Sequence, residues 1–276
     1  MLVDSNLPVE RDKLKNRLVR LVKEDEEIIG CFFGGSIGSK EEDYYSDIDA
    51  RIVVIDGIDL VRKQQDIIKS IGEYLFVETF TENYSVINYA TFVQLDLFVY
   101  RKEMLEPSIW MKQIDIVKDD EGILADLRAL SQGLEYEITQ GTFDSVLNEY
   151  YGYYFELYRA WRRGEPNNME AIILNIKQHL VSMWYLSKGE IPNYDRIWSK
   201  YEGKRSKLSH LETEFLLSYT PCPPDELYIF TKKIEILMLE ATEKVAAYNH
   251  LEFSPSIFRR VHDRISFKVE EDIEEY

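Results

Sequence analysis

The chain has 276 residues and a formal net charge of −17, from 50 acidic and 33 basic side chains. A surface this acidic disfavours the phosphate backbone of nucleic acids, so we expect neither DNA nor RNA as a general partner. No apolar run approaches the ~20 residues of a membrane span, and two distant cysteines, Cys31 and Cys222, give no disulfide framework. We therefore expect a cytoplasmic protein that does not associate with membranes.

The first part of the chain mixes helical and strand patterns. Apolar periodicity predicts helices over 10–27 and 59–73, and Gly72 is a stop signal for the second of these. Short runs rich in β-branched and aromatic residues predict five strands, at 28–33, 48–55, 74–80, 84–92 and 94–100. This order predicts an α/β (α+β) core built on a mixed β-sheet.

After Pro107 the alternating patterns give way to helical ones. Helices are predicted over 143–163, 168–188 and 225–248, which indicates an all-α helical bundle domain. The sequence therefore predicts three segments: an α+β domain at 1–105, a connecting segment at 106–140 and a helical domain at 141–276.

Two aspartates stand at the start of a predicted strand, where an apolar residue is expected. Side chains alternate along a strand, so Asp47 and Asp49 point to one face and Ile48 to the other. Neighbouring carboxylates repel each other unless a cation lies between them. Hard oxygen ligands of this kind suit Mg²⁺, which uses one or two carboxylates and shares its other positions with phosphates.

A third carboxylate, Asp96, interrupts the later apolar run QLDLFVY. If its strand lies beside the strand of Asp47 and Asp49, three oxygen donors converge on a two-metal site. Such a site clamps the attacking and leaving oxygens of an in-line phosphoryl displacement. Asp47, Asp49 and Asp96 are therefore the candidate catalytic and metal-binding residues.

A glycine turn, Gly34-Gly35-Ser36, follows the first predicted strand. Glycine lets backbone N–H groups approach phosphate oxygens closely, and the serine hydroxyl can donate to one of them. The turn is neither a Walker A loop nor a dinucleotide-binding fingerprint, because it lacks the residues and spacing of both.

Each of these features has an ordinary structural explanation when taken alone. A Gly-Gly-Ser run is usually a turn, Asp-x-Asp is usually a solvated strand edge, and Asp96 could be a charge on an edge strand. Their occurrence together, in this order and between matching predicted elements, favours a phosphate and metal site.

The combined pattern resembles the nucleotidyltransferase superfamily that includes DNA polymerase β. Gly35-Ser36 is followed by ten residues, then by Asp47-Ile48-Asp49, and later by Asp96 between apolar neighbours. The phrase YSDIDARIVV is most similar to lincosamide and aminoglycoside adenylyltransferases, and the segment RAWRRGEPNNMEAIILNIKQHL resembles their helical domain. The resemblance spans most of the chain.

The resemblance implies transfer of AMP from ATP to a hydroxyl of a small molecule, with release of pyrophosphate. It implies two Mg²⁺ ions and ATP as co-substrate, an antibiotic as acceptor, and a homodimer as an expected assembly. The implied metal ligands are Asp47, Asp49 and Asp96, and the implied nucleotide-binding residues are Gly34, Gly35, Ser36, Ser46 and Lys40.

Lys40 departs from the pattern of the family, which often has a small residue four places after the serine. Its ammonium group could add affinity for phosphate. Alternatively, it is a solvated charge in the polar run SKEED, and this is the interpretation we favour.

Four residues are candidates for contact with the acceptor. Glu78 lies in a predicted strand, facing the same side as Phe76 and Phe80, or it is an edge-strand charge. Glu149, Tyr150 and Glu156 lie on an aromatic helix that could offer rings and carboxylates to a sugar or amine. The alternative is a core helix, with its tyrosines packed inward and its glutamates in water.

Two other functions are compatible with the motif. One is AMP transfer to a protein or an RNA, as in toxin–antitoxin systems, although no basic stripe for RNA is visible. The other is a nucleotide-binding module without catalytic activity.

Overall fold

The computed structural model describes residues 6–193, 197–218 and 224–268, so Cys222 lies outside the described residues. The chain divides into two compact units, Met1–Glu135 and Tyr136–Tyr276. The first unit contains both helices and a sheet, and the second is helical in its described residues. The prediction of an α+β core followed by a helical unit is confirmed.

In its described residues, the first unit is built from six strands and four α-helices. The strands are β1 Ile28–Phe33, β2 Ile48–Val54, β3 Tyr74–Phe80, β4 Tyr84–Tyr89, β5 Gln94–Arg101 and β6 Asp115–Asp119. The helices are α1 Leu7–Glu24, α2 Gly35–Ser39, α3 Leu60–Ile71 and α4 Ile123–Gln132.

The six strands form one mixed sheet in the order β3-β4-β5-β2-β1-β6. The pair β2 and β5 is parallel, and the other four neighbouring pairs are antiparallel. The parallel pair lies in the middle of the sheet, so both of its strands have a neighbour on each side. Side chains at the start of β2 are therefore held by pairing from both directions.

The two faces of β2 differ sharply. Ile48, Ala50, Ile52 and Val54 are fully buried in a core that they share with α1 and α3. Of the intervening residues, Asp49 and Arg51 point to the opposite face and are half-buried, whereas Val53 is buried there in a second apolar cluster. The alternation predicted from the sequence therefore separates an apolar core face from a polar face at the start of β2.

The elements predicted in this unit lie within a few residues of those observed. Helix α1 begins at Leu7 rather than at residue 10, because Pro8 is tolerated in the first turn of a helix. Strand β4 ends at Tyr89, because the next residues turn back and the Tyr89 N–H donates to the Val93 carbonyl at 3.0 Å. The sequence did not predict α2, β6 or α4.

The second unit contains five helices in its described residues. They are α5 Gln140–Arg163, α6 Pro166–Ser187, α7 His210–Leu217, α8 Pro224–Asn249 and α9 Pro255–His262. Helix α5 ends at Gly164, which has a φ of 66°, and Pro166 then begins α6. The three predicted helices correspond to α5, α6 and α8, whereas α7 and α9 were not predicted.

No helix within residues 6–193, 197–218 and 224–268 combines the length and the apolar character that a bilayer crossing requires.

The close approach of α2 to its surroundings generates a stability prediction. A Cβ at Gly38 would lie 2.6 Å from the Phe33 carbonyl oxygen and 2.7 Å from that of Gln113. Because neither backbone atom can move away cheaply, we expect Gly38→Ala to lower the free energy of unfolding by at least about 1 kcal/mol. Urea denaturation followed by circular dichroism measures the change.

Gly152 is the matched control, because it is exposed within α5 and its Cβ would meet nothing within 4 Å. Gly152→Ala should raise the free energy of unfolding by about 0.5–1 kcal/mol. Equal effects of the two substitutions would contradict the packing described for α2.

Candidate active site

The centre of the polar face holds two carboxylates side by side. Asp49 on β2 lies directly opposite Asp96 on β5 in the parallel register. Directly opposed residues project to the same face of a sheet, and both side chains are half-buried. The expectation that the Asp96 strand lies beside the Asp49 strand is confirmed.

Asp47 immediately precedes β2 and is also half-buried. The turn before it is anchored by Arg11, a buried residue of α1 whose Nη1 donates to the carbonyl oxygens of Asp43 at 2.7 Å and Ser46 at 3.0 Å. The Ser46 hydroxyl lies 2.9 Å from the Asp43 carboxylate and also accepts from the Asp43 N–H at 2.9 Å. The turn that leads into the aspartates is thus tied to α1, and the Ser46 hydroxyl is engaged within it.

The glycine turn lies against the Asp49 carboxylate. The Gly34 N–H donates to the Asp49 carbonyl oxygen at 2.9 Å. Gly35 has a φ of +53°, and a Cβ at this position would lie 1.8 Å from Asp49 Oδ2. Only glycine can occupy this position without displacing the carboxylate. Ser36 follows in the first turn of the short helix α2 and is half-buried.

Lys40 caps the far end of α2 and is exposed. Its φ of 60° places it in the left-handed region, which glycine adopts most readily. Glycine would therefore adopt the backbone conformation at this position with less strain than lysine.

The Asp96 carboxylate accepts one hydrogen bond on each oxygen. Tyr84 Oη donates to Oδ2 at 3.1 Å, and Gln94 Nε2 donates to Oδ1 at 2.9 Å. Burial of the Tyr84 hydroxyl and the negative charge of Asp96 raise the pKa of Tyr84, so the hydroxyl stays protonated and can donate. Sequence reasoning missed both donors, although Gln94 is two residues before Asp96 and so shares its face.

Arg51 is a further residue of this face that sequence reasoning missed. Its guanidinium carbon lies 4.7 Å from the centre of the Phe98 ring. A Cβ at Gly34 would lie 2.2 Å from Arg51 Nη1, so the guanidinium group passes directly beside the glycine turn. Side chains two residues apart on a strand share a face, so the position of Arg51 two residues after Asp49 was the signal that could have identified it. A permanent positive charge therefore lies beside the glycine turn, on the face of the sheet that carries the carboxylate pair.

The residues present fit Mg²⁺ bound together with phosphates. The described part of the chain contains no group of three or more His, Cys, Asp and Glu side chains close enough to hold a metal ion. The register instead brings together a pair, Asp49 and Asp96, and the glycine turn packs directly against Asp49. Two carboxylates with phosphate oxygens suffice for Mg²⁺. The two-ion site with Asp47 as a further ligand stays a prediction.

Glu78 lies on the edge strand β3 and is exposed. The preceding residue, Val77, packs against the core, so alternation directs Glu78 to the face that carries Asp96. A bulge between Val77 and Thr79 shifts the alternation, so Phe80 pairs with Ser85 on the core side. The expectation that Phe76, Glu78 and Phe80 share one face is therefore wrong for Phe80.

The three candidates on α5 are separated by burial. Tyr150 is fully buried, and its Oη lies 2.9 Å from His262 Nε2. Glu149 and Glu156 are exposed, near His179 and Arg159 respectively. The alternative of a core helix, with its tyrosines inward and its glutamates in water, is the arrangement observed. Tyr150 therefore has a packing role, because a fully buried ring is not accessible to an acceptor.

No protein-family model matches the chain, and no curated protein matches it significantly. Solved structures that are similar to it include the following two. One is an aminoglycoside 6-adenyltransferase from Bacillus subtilis, with 15% identity, a TM-score of 0.41, and coverage of 92% of this chain and 97% of that one. The other is a nucleotidyltransferase-like protein from Exiguobacterium sibiricum 255-15, with 12% identity, a TM-score of 0.42, and coverage of 87% and 78%.

The carboxylate pair generates a stability prediction. Two unit charges about 5 Å apart, at an effective dielectric constant of about 20, repel each other by roughly 3 kcal/mol, and Arg51 offsets part of this. We therefore expect Asp49→Asn to raise the free energy of unfolding by about 1 kcal/mol in EDTA. Added Mg²⁺ should stabilise the wild type more than the variant. Urea denaturation under both conditions measures the effect.

Asp56→Asn is the matched control, because the Asp56 side chain is 70% exposed and its Oδ2 lies 4.0 Å from Lys102 Nζ. Its effect should stay within about 0.5 kcal/mol under both conditions. A loss of stability for Asp49→Asn in EDTA would contradict the repulsion.

Proposed function

We propose that this protein catalyses Mg²⁺-dependent transfer of AMP from ATP to a hydroxyl group of a small molecule, with release of pyrophosphate. The observation that carries the proposal is the register pair of Asp49 and Asp96 beside the glycine turn. A binding site for phosphate and a pair of metal-binding carboxylates are the two parts that nucleotidyl transfer requires. The candidates for these two parts are adjacent, because Gly35 lies against Asp49 and Asp49 lies opposite Asp96.

One group of residues in the site would bind the phosphates, and another would bind the metal ion. Gly34, Gly35 and Ser36 would hold the β- and γ-phosphates through backbone N–H groups and the serine hydroxyl. Asp49 and Asp96, with Asp47, would hold Mg²⁺. When bound there, Mg²⁺ would supply positive charge to neutralise the phosphate oxygens and the leaving pyrophosphate.

In the reaction the acceptor hydroxyl oxygen forms a bond to the α-phosphorus, and the bond from that phosphorus to the pyrophosphate oxygen breaks. The hydroxyl proton passes to a base or to solvent. Holding the triphosphate and the acceptor in line contributes most of the acceleration, because little covalent chemistry is left to the protein.

A cationic, hydroxyl-rich acceptor such as an aminoglycoside suits this site best among small molecules, with a lincosamide as the second candidate. Glu78 supplies an exposed carboxylate on the side of the sheet that carries Asp96. The net charge of −17 also attracts cations. The motif YSDIDARIVV, which resembles antibiotic adenylyltransferases, supports the same acceptor class.

Calorimetry with Mg-ATP tests the nucleotide site without knowledge of the acceptor. Wild-type protein should bind ATP more tightly with Mg²⁺ than with EDTA. Asp49→Asn and Asp96→Asn should each remove this Mg²⁺-dependent gain, and Gly35→Ala should weaken binding at least about 10-fold because its Cβ displaces the Asp49 carboxylate. Asp56→Asn should bind as the wild type does, and absence of Mg²⁺-dependent binding to the wild type would contradict the proposal.

Incubation with Mg-ATP and a panel of aminoglycosides and lincosamides tests the acceptor. Mass spectrometry should detect an AMP adduct on at least one member of the panel. Asp96→Asn should reduce its rate of formation roughly 100-fold or more, since the loss affects mainly the transition state. A panel without adducts would remove the antibiotic as acceptor, and AMP on a protein band instead would indicate a protein acceptor.

A further inference from the structure

Asp96 has an environment unlike that of an ordinary strand carboxylate. Its two oxygens accept from two different side chains, Oδ2 from Tyr84 at 3.1 Å and Oδ1 from Gln94 at 2.9 Å. A carboxylate bonded at both oxygens cannot rotate about its Cβ–Cγ bond without breaking both hydrogen bonds. Each carboxylate oxygen has two lone pairs, so each keeps one for a cation.

The two donors are themselves fixed by the sheet. Tyr84 lies directly opposite Phe98 in the antiparallel register of β4 and β5, and their rings stack with centroids 4.3 Å apart. Phe98 in turn lies under the guanidinium group of Arg51. Gln94 precedes Asp96 by two residues on β5, so the two side chains share a face without any intervening loop.

The chemical nature of the donors is informative. A lysine or arginine at either position would form an ion pair with Asp96 and compete with a metal cation for the carboxylate. A phenol and an amide donate hydrogen bonds but leave the negative charge of the carboxylate in place. Donors of this kind fix the orientation of a ligand and preserve its affinity for a cation.

We infer that Tyr84 and Gln94 are positioning residues, which hold the Asp96 carboxylate in the orientation that binds Mg²⁺ with the nucleotide. This inference rests on the proposed metal role of Asp96. Each hydrogen bond raises the free energy needed to rotate the carboxylate, so the two donors together hold it more firmly than either does alone. Neither residue contacts the substrate in this assignment.

Titration with Mn²⁺, followed by electron paramagnetic resonance of the free ion, tests the inference without an activity assay. Tyr84→Phe and Gln94→Met remove one donor each and keep most of the side-chain volume. Each should weaken Mn²⁺ binding about 3–10-fold, and the double variant about 10–100-fold. Asp96→Asn and Asp49→Asn serve as references that remove a ligand itself.

Tyr89→Phe is the matched control. Tyr89 lies on the same strand, β4, but its Oη donates to the Ile68 carbonyl oxygen at 3.3 Å on the helix-covered face. The same substitution there should reduce the urea midpoint and leave the Mn²⁺ affinity within about 2-fold of the wild type. A merely structural role for Tyr84 would give Tyr84→Phe this same result.

The outcomes separate the inference from the proposed function. If Asp96→Asn abolishes Mn²⁺ binding while the double variant Tyr84→Phe/Gln94→Met binds as the wild type does, the positioning role is overturned and the metal site stands. If Asp49→Asn and Asp96→Asn both bind Mn²⁺ as the wild type does, the metal site itself is wrong and the inference falls with it. Graded weakening by the donor variants, with Tyr89→Phe unchanged, supports the inference.

Discussion

The architecture of the first unit depends on one constraint: two like charges must be held side by side on neighbouring parallel strands. Asp49 and Asp96 oppose each other in register, and the repulsion between them favours any rearrangement that separates them. The buried face prevents that rearrangement. A slip of one residue would turn Ile48 and Ala50 out of the core, because side chains alternate strictly along a strand. Apolar packing on one face thus maintains unfavourable electrostatics on the other.

Groups around Asp49 and Asp96 reduce the repulsion between the two carboxylates without removing it. The guanidinium group of Arg51 lies two residues further along the polar face and beside the glycine turn. Tyr84 and Gln94 donate to Asp96 as neutral groups, so its charge is retained. Gly35 lies against Asp49 beside these groups, at the position where the proposed function has the cation and the phosphates bind. The proposed function gives a reason for the retained repulsion, because active sites are often kept at a cost in stability.

Sequence patterns located most strands and the long helices well. They failed for features that depend on pairing with another strand. Strand β6 was missed because Asp115–Asp119 is short and charged, and it becomes a strand only through pairing with β1. The bulge in β3 was invisible for the same reason, and it moved Phe80 to the core side. Tyr150 was considered for the site because aromatic residues serve equally in cores and in binding surfaces. Only the burial of the ring in the folded structure distinguishes a core tyrosine from one on a binding surface.

The order of residues alone is enough to locate the carboxylates, their alternation against an apolar face and the glycine turn that precedes them. These are local properties, set by the order of residues along one chain segment and by the period of a strand. The tertiary structure decided which strand lies beside which, and so which carboxylates form a pair. It also decided that Arg11 anchors the turn before Asp47 and that Tyr84 reaches Asp96. Such contacts join residues far apart in the chain, and their geometry follows from sheet order and register, which no local pattern specifies.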